Sequence, residues 1–439
     1  MLRKHLFGTT AALALAVGGP AFAANTSSVG ISNDSDLNSV EVVQSTGNND
    51  SAVTIQDNSD SNAVDVNQVA GGANSQFSDV LIDTGAGNSV LVDQNGNDAT
   101  QATITILDGD SNGSTANAIA ITQVGNTNGV IGSIGIEGDS NFASINQLNS
   151  SDTFASVNID GFDNSNLLAN TVIQDTVTGA DALVQIAGDH NLSTIQQTLG
   201  AGSFASMDIT GHSNIAFTTQ LGDGSVSTTS IVGSGNRAAV DQAGEEAGEG
   251  FHTSSITITD GDNNFLDVVQ RGSLHISDIN VADSDANDVG VDQRGNRNES
   301  YVDLNSGSDS NFVDVVQRGG VKLSMIEVDN GDGNFLLVDQ RGTNHNSAIY
   351  LADSDDNDVD VFQEGNGQVS TIDLINGSDG NNILVSQLDP TDAESNNVSD
   401  IDLDGSSLNL ILHSQTAIGD LATTSLSNSD GNLVSVVQN

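Results

Sequence analysis

The stretch Gly331–Gly342, GDGNFLLVDQRG, decides how the chain reads. The same phrase stands earlier as SDSNFVDVVQRG at Ser308–Gly319 and as GDNNFLDVVQRG at Gly261–Gly272. Each copy holds an Asn followed six positions later by a Gln: Asn264/Gln270, Asn311/Gln317 and Asn334/Gln340. Asn287/Gln293 and Asn357/Gln363 continue a series that extends from Asn38/Gln44 to Asn432/Gln438. With one unit around Gln174, whose Asn166 stands two residues too early, there are 17 units at steps of mostly 22 to 24 residues. A period kept that long indicates one repeat array and not several globular domains.

Each unit contains two short runs that alternate apolar and polar residues, the period of a strand. Asn311, Val313, Val315 and Gln317 share one face of the first run. The second run starts on a Ser column, clearest at Ser324, Ser347 and Ser370, which are expected to join the inward Asn and Gln as a structural ladder, and traceable back through Ser300, Ser277 and Ser254. Clusters of Gly, Asp, Asn and Ser between the runs supply tight turns. Pro20 lies in the leader and Pro390 in an enlarged loop, so no run contains a proline. The expected fold is all-β: a two-layer β-solenoid of about 17 strand-turn-strand coils, roughly 80 Å long if coils stack at about 4.8 Å.

The stacking explains the recurring amides. One coil encloses too few aliphatic side chains to offset the entropy of ordering its residues, about 1–2 kcal/mol each, so coils need neighbours. An inward Asn or Gln carries a donor and an acceptor and can bond its counterpart one rung up and one rung down. Asn is also a common turn residue. Gln is not, and its fixed phase with the aliphatic face points to a ladder.

The first residues, MLRKHLFGTTAALALAVGGPAFA, have Arg3 and Lys4, an apolar run and a small-residue site ending at Ala23. They read as a secretory leader over 1–23, with the repeat array filling 24–439. No later segment is apolar enough over ~18 residues to span a bilayer as a helix. The chain has no Cys, so neither disulfides nor thiolate metal sites are available. Its net charge of -50 becomes -52 once Arg3 and Lys4 leave with the leader, which makes nucleic acid and anionic lipid poor partners.

The unit resembles the curlin repeat of bacterial curli fibres. Asn311-x-Val313-x-Val315-x-Gln317-x-Gly319 and Asn334-x-Leu336-x-Val338-x-Gln340-x-Gly342 match its Asn strand, and Ser347-x-Ile349-x-Leu351 its Ser strand. Asp260, Asp283 and Asp353 stand where the curlin pattern has its first Gln, and Asn330 and Asn376 do so in other units. The resemblance implies an extracellular, amyloid-like fibre subunit, exported through an outer-membrane pore and seeded by a nucleator protein.

Outward positions carry the charge. Asp267, Asp314 and Asp360 occupy the third position after the Asn in alternate coils, and Asp292 and Asp339 the fifth in those between. That spaces like carboxylates roughly 9–10 Å apart, close to the ~8 Å screening length at physiological salt. Arg271, Arg294, Arg318 and Arg341 form a basic column, read first as local neutralisation and second as a ridge for an acidic polymer. Acidic corners at Asp108/Asp110, Asp260/Asp262, Asp283/Asp285 and Asp353/Asp355 offer oxygen ligands for weakly held calcium, although the bidentate Glu of an EF-hand is missing after Asp108. Asp is equally a turn residue, and that reading comes first.

No catalytic constellation emerges. His190, His212, His252, His275 and His345 share no evident phase, and Ser and Asp are too frequent for any triad to carry meaning. The last coil stops at Gln438 without a covering segment, and an open strand edge is a template for another chain. The expectation is therefore a secreted, cell-surface structural protein without enzymatic activity or cofactor, self-associating end to end into fibres of the adhesion and biofilm type. The rival from another class is a monomeric acidic solenoid serving as adhesin or divalent-cation binder.

Overall fold

The structure is a computed structural model that describes residues 25–439 except 34, 46, 58, 71–74, 97–98, 108–116, 165–169, 245–249, 284, 306–308, 330–332, 353–356, 376–378 and 390–395. The leader, Asn166, Asp108, Asp110, Asp353 and Asp355 lie outside the described residues. The chain forms two units, Met1–Thr210 and Gly211–Asn439, and each is a β-solenoid. Among the described residues there is no helix, hence none that is long and apolar enough to cross a membrane.

The described strands number 31, and most pair with the strand one coil away and not with their neighbour in sequence; where one strand spans both layers, as Asp288–Ser300 and Phe312–Met325 do, the two coincide. Parallel pairing ordinarily needs a helical crossover. Here the strand of the opposite layer is the crossover. Ser89–Gly96 pairs with Ala118–Val124, and Thr100–Leu107, which lies between them, pairs with Val130–Glu137 in the other layer. Three long strands, Asp288–Ser300, Phe312–Met325 and Phe335–Ala348, turn a corner and serve both layers.

Side-chain alternation decides which face is buried. Asn382–Leu388 runs exposed, buried, exposed, buried, because successive Cβ atoms leave opposite faces of the pleat. The core of a coil is four aliphatic side chains: Val313 and Val315 from one layer, Ile326 and Val328 from the other, each at most 1% exposed. Register is strict: Phe312 lies beside Phe335, Gln317 beside Gln340, and Ser324 beside Ser347. A one-residue slip would turn the aliphatic pairs outward.

Two corners need special backbone. Gly272, Gly295, Gly319, Gly342 and Gly365 leave the amide layer with φ between 107° and 116°. A Cβ on Gly272, Gly295, Gly319 or Gly342 would collide with the carbonyl oxygen of the corresponding Gly in the next coil. That is why the phrase ends in Gln-Arg-Gly. At the opposite corner the residue just before the ladder Asn is left-handed, as at Ser61, Asn263, Ala286 and Leu408, with φ near 60°.

Candidate functional site

The feature that sets this chain apart chemically is the pair of buried amide ladders. Within the first unit each Gln from Gln44 to Gln174 donates an Nε2–H to Oε1 of the Gln one coil ahead, at 2.8–2.9 Å. Within the second unit the same series runs from Gln220 to Gln438 at 2.7–3.0 Å. Gln293 shows the full pattern and is completely buried. Its Oε1 accepts from Gln270 at 2.9 Å, and its Nε2 donates to Gln317 Oε1 at 2.9 Å and to Ile276 O at 2.8 Å. That last bond crosses the thin core to a backbone carbonyl at the start of the facing strand. Gln270 makes the same crossing to Thr253 at 3.1 Å, and Gln363 to Asn346 at 3.0 Å. A carbonyl only accepts, so it fixes which end of the amide faces it and gives the ladder one direction.

The Asn ladder runs the other way. Asn62 donates both its backbone N–H and its Nδ2–H to Oδ1 of Asn38 in the coil behind, at 2.8 and 3.0 Å. Asn264, Asn287, Asn311 and Asn334 repeat the pattern at 2.9–3.1 Å, and the Asn357 backbone N–H reaches Asn334 Oδ1 at 3.2 Å. The other Nδ2–H commonly caps a corner carbonyl ahead, as Asn236 does on Gly261 at 2.6 Å. Where the residue before the Asn is described, its left-handed backbone turns that N–H toward the previous coil.

Around Gln174 the ladder position is filled by Asn164, whose N–H groups reach Asn141 Oδ1 at 3.1 Å, in place of the expected Asn166. Residues 165–169 are inserted between this Asn and its strand, so spacing alone misassigns it.

The Ser column is buried as expected, but it makes no ladder in the second unit. The Oγ atoms of Ser254, Ser277, Ser300, Ser324, Ser347 and Ser370 have no hydrogen-bond partner. Strands stack about 4.8 Å apart, so two hydroxyls bond only where their rotamers turn toward each other, which these six do not do. The same column in the first unit holds Ser51 and Ser78, joined at 3.0 Å, and then Ala102, Gly132, Ala155, Ala182 and Ala205.

On the outside, the arginine column is ion-paired. Arg271 bonds Asp241, Arg294 meets Asp292 at 2.9 Å, and Arg341 meets Asp339 at 2.6 Å. Arg318 approaches the same Asp292 at 4.0 Å. Arg341 also lies over the Phe362 ring, 5.3 Å from its centre. Asp267 and Asp314, half-buried beneath this surface, have their carboxyls raised above the usual range, first by burial. Asp241, Asp288 and Asp292 add to the rise at Asp267, and Asp292, Asp339 and Asp288 add to it at Asp314. Asp360 is raised by burial and then by Asp358.

The acidic corners hold backbone. Asp262 Oδ1 accepts the N–H of Ser234 at 2.5 Å, and Asp285 Oδ1 accepts that of Asp262 at 2.6 Å. Asp260 and Asp283 sit exposed in the same turns. Among the described residues no three of His, Asp and Glu gather as a metal-binding group.

Sequence reasoning missed one column. His252, His275, Asn298, Lys322, His345 and Gln368 stand in phase, each two residues before a Ser of the Ser column and each at most 2% exposed. His252 and His275 stack with ring centres 5.1 Å apart. The histidines at this corner therefore do share a phase, contrary to the sequence expectation, whereas His190 lies exposed near Asp163 at 3.8 Å. Counting from the Ser reveals all six, and counting from the Gln reveals all but His252, since the other five stand five residues after Gln270, Gln293, Gln317, Gln340 and Gln363.

No protein-family model matches the chain, and no curated protein matches it.

Proposed function

We propose that this chain is a secreted structural protein whose coils stack on those of further copies to build curli-like fibres at the cell surface, in adhesion and biofilm matrix, without catalysis. The observation that carries the reading is the unbroken direction of the two amide ladders within each unit. Because the Gln ladder donates forward and the Asn ladder donates backward, any coil edge offers both donors and acceptors to a coil of the same kind. A buried amide left without such partners is costly, so an edge coil gains from a partner in register. Parallel strand edges supply the remaining bonds.

An outer-membrane pore and a nucleator belong to this proposal as the export and seeding partners. Calcium enters only as a weak counter-ion of the acidic corners. Electron microscopy with fibre diffraction on the chain lacking residues 1–23 tests the reading. Straight fibres with a meridional spacing near 4.8 Å, growing with a lag that seeds abolish, are expected. Monodisperse particles that neither lengthen nor seed at any concentration would leave the rival, a monomeric acidic adhesin or cation binder.

A further inference from the structure

The corner column of the second unit joins coils through imidazoles that work only when neutral. Each ring has one nitrogen on a carbonyl: His275 Nε2 on Arg271 O at 2.9 Å, His345 Nε2 on Arg341 O at 2.8 Å, and His252 Nε2 on Ala243 O at 3.3 Å. A carbonyl only accepts, so Nε2 carries the proton. The bare Nδ1 of each ring faces a backbone N–H of the next coil: that of His275 for His252, of Asn298 for His275 and of Gln368 for His345, at 3.3–3.4 Å. A proton on Nδ1 would oppose N–H to N–H, and three links between coils would be lost.

We propose that this column is an acid-released latch: protonation of His252, His275 and His345 removes the acceptors that clasp the next coil and lets the corner between residues 250 and 370 open. Amides at the same position show the neutral bond pattern is not peculiar to histidine. Asn298 Nδ2 donates to Arg294 O at 3.1 Å and Gln368 Nε2 to Glu364 O at 2.5 Å. The first unit has Asn49, Gln76, Thr100, Val130, Thr153, Ala180 and Ser203 here, none of which titrates.

Charges around the rings act in the same direction. His252 faces His275, and His275 and His345 both face Lys322, whose ammonium donates to Gly342 O. Burial pushes Lys322 down to about 8, so it is still cationic in acid and opposes a second charge beside it. Arg297 and Glu299 line a hollow of about 270 Å³ with Lys322 and His345. Asp389 lies against Gly365 in the coil beyond.

Burial holds His252 and His345 down to about 4, against 6.5 in the open chain. Since the folded value is the lower one, the open state binds more protons below 6.5, and closure weakens as pH falls from there toward 4. At pH 5 each such ring favours opening about 30-fold over its effect at pH 7.5.

The test is hydrogen exchange on the intact chain at pH 7.5 and pH 5, corrected for intrinsic rates, with the first unit as internal control. Strands Thr253–Ile258 and Ile276–Ile279 should lose at least tenfold protection at pH 5 relative to Phe154–Asp160. The triple variant His252→Gln, His275→Gln, His345→Gln should keep it. Equal loss in the variant, or no loss in the parent, overturns the latch and leaves fibre formation untouched. If the triple variant misfolds, imidazole titration of the parent by NMR decides. Three rings titrating near 6.5 while these strands stay protected would overturn it as well.

Discussion

Gln340 Nε2 donates to Gln363 Oε1 at 2.9 Å, one coil ahead, while its own Oε1 takes the Nε2–H of Gln317 at 2.9 Å. Replacing Gln340 by Met keeps the volume and strands a donor on one side and an acceptor on the other, both buried. Each orphaned group costs about 1–3 kcal/mol, so Gln340→Met should lower the urea midpoint of the second unit and slow fibre growth. An unchanged midpoint would mean the ladder adds nothing beyond backbone pairing.

Ser300, by contrast, buries a hydroxyl that bonds nothing. Ser300→Ala and Ser324→Ala should be neutral or stabilising, since an unsatisfied hydroxyl in an apolar site costs about 1–3 kcal/mol. Ser78→Ala, which breaks the bond to Ser51, should lose about 1 kcal/mol. Denaturant midpoints of the three variants check the contrast, and equal losses at all three would refute it.

The corner glycine admits no side chain. Gly342→Ala would place a methyl against the Gly365 carbonyl at a backbone angle of 113°. A loss of at least about 2 kcal/mol is expected from combined strain and collision. Ala286→Gly is the converse experiment. Ala286 sits at φ 58°, and relieving a left-handed alanine offsets the added chain freedom, so a change between zero and about +1 kcal/mol is expected. Thermal melts separate the two.

Asp267 and Asp314 have folded values above those of the open chain, so they burden the fold while ionised and cease to do so once pH falls through their raised values. Fibre growth should therefore accelerate toward pH 4. Asp314→Asn should grow faster than the parent at pH 7 and match it near pH 4. The histidine triple variant is the proper background, because His252, His275 and His345 push stability the other way over an overlapping window. A constant advantage of Asp314→Asn at both pH values would show that charge is not the cause.

The coil itself was readable because its inward positions demand one residue type each. Only a side chain with donor and acceptor at the right reach serves the Gln position, so Gln recurs through both units. The corner column was hidden because its requirement is looser. Between His252 and Gln368 it takes any side chain with an N–H for a nearby carbonyl, and His275, Asn298, Lys322 and Gln368 all provide one. The left-handed corner was partly visible, since Asn263 and Ser61 suit it, but Leu408 and Ala286 do not announce it. Asn164 was missed because an insertion moved it out of step with Gln174. The orphaned hydroxyls follow from side-chain rotamers, which no residue pattern displays: Ser51 and Ser78 stand in the same column and do bond.

The contrary senses of the Gln and Asn rows have an electrical consequence. In a helix, peptide dipoles add head to tail and leave about half a charge at each end. Here the amide moments of Gln340 and Asn334 oppose each other along the axis, and so do those in every other coil that holds both. Adding coils therefore builds up no axial polarisation. A stack of this kind can lengthen without a growing field at its tips, even in a chain already so strongly anionic.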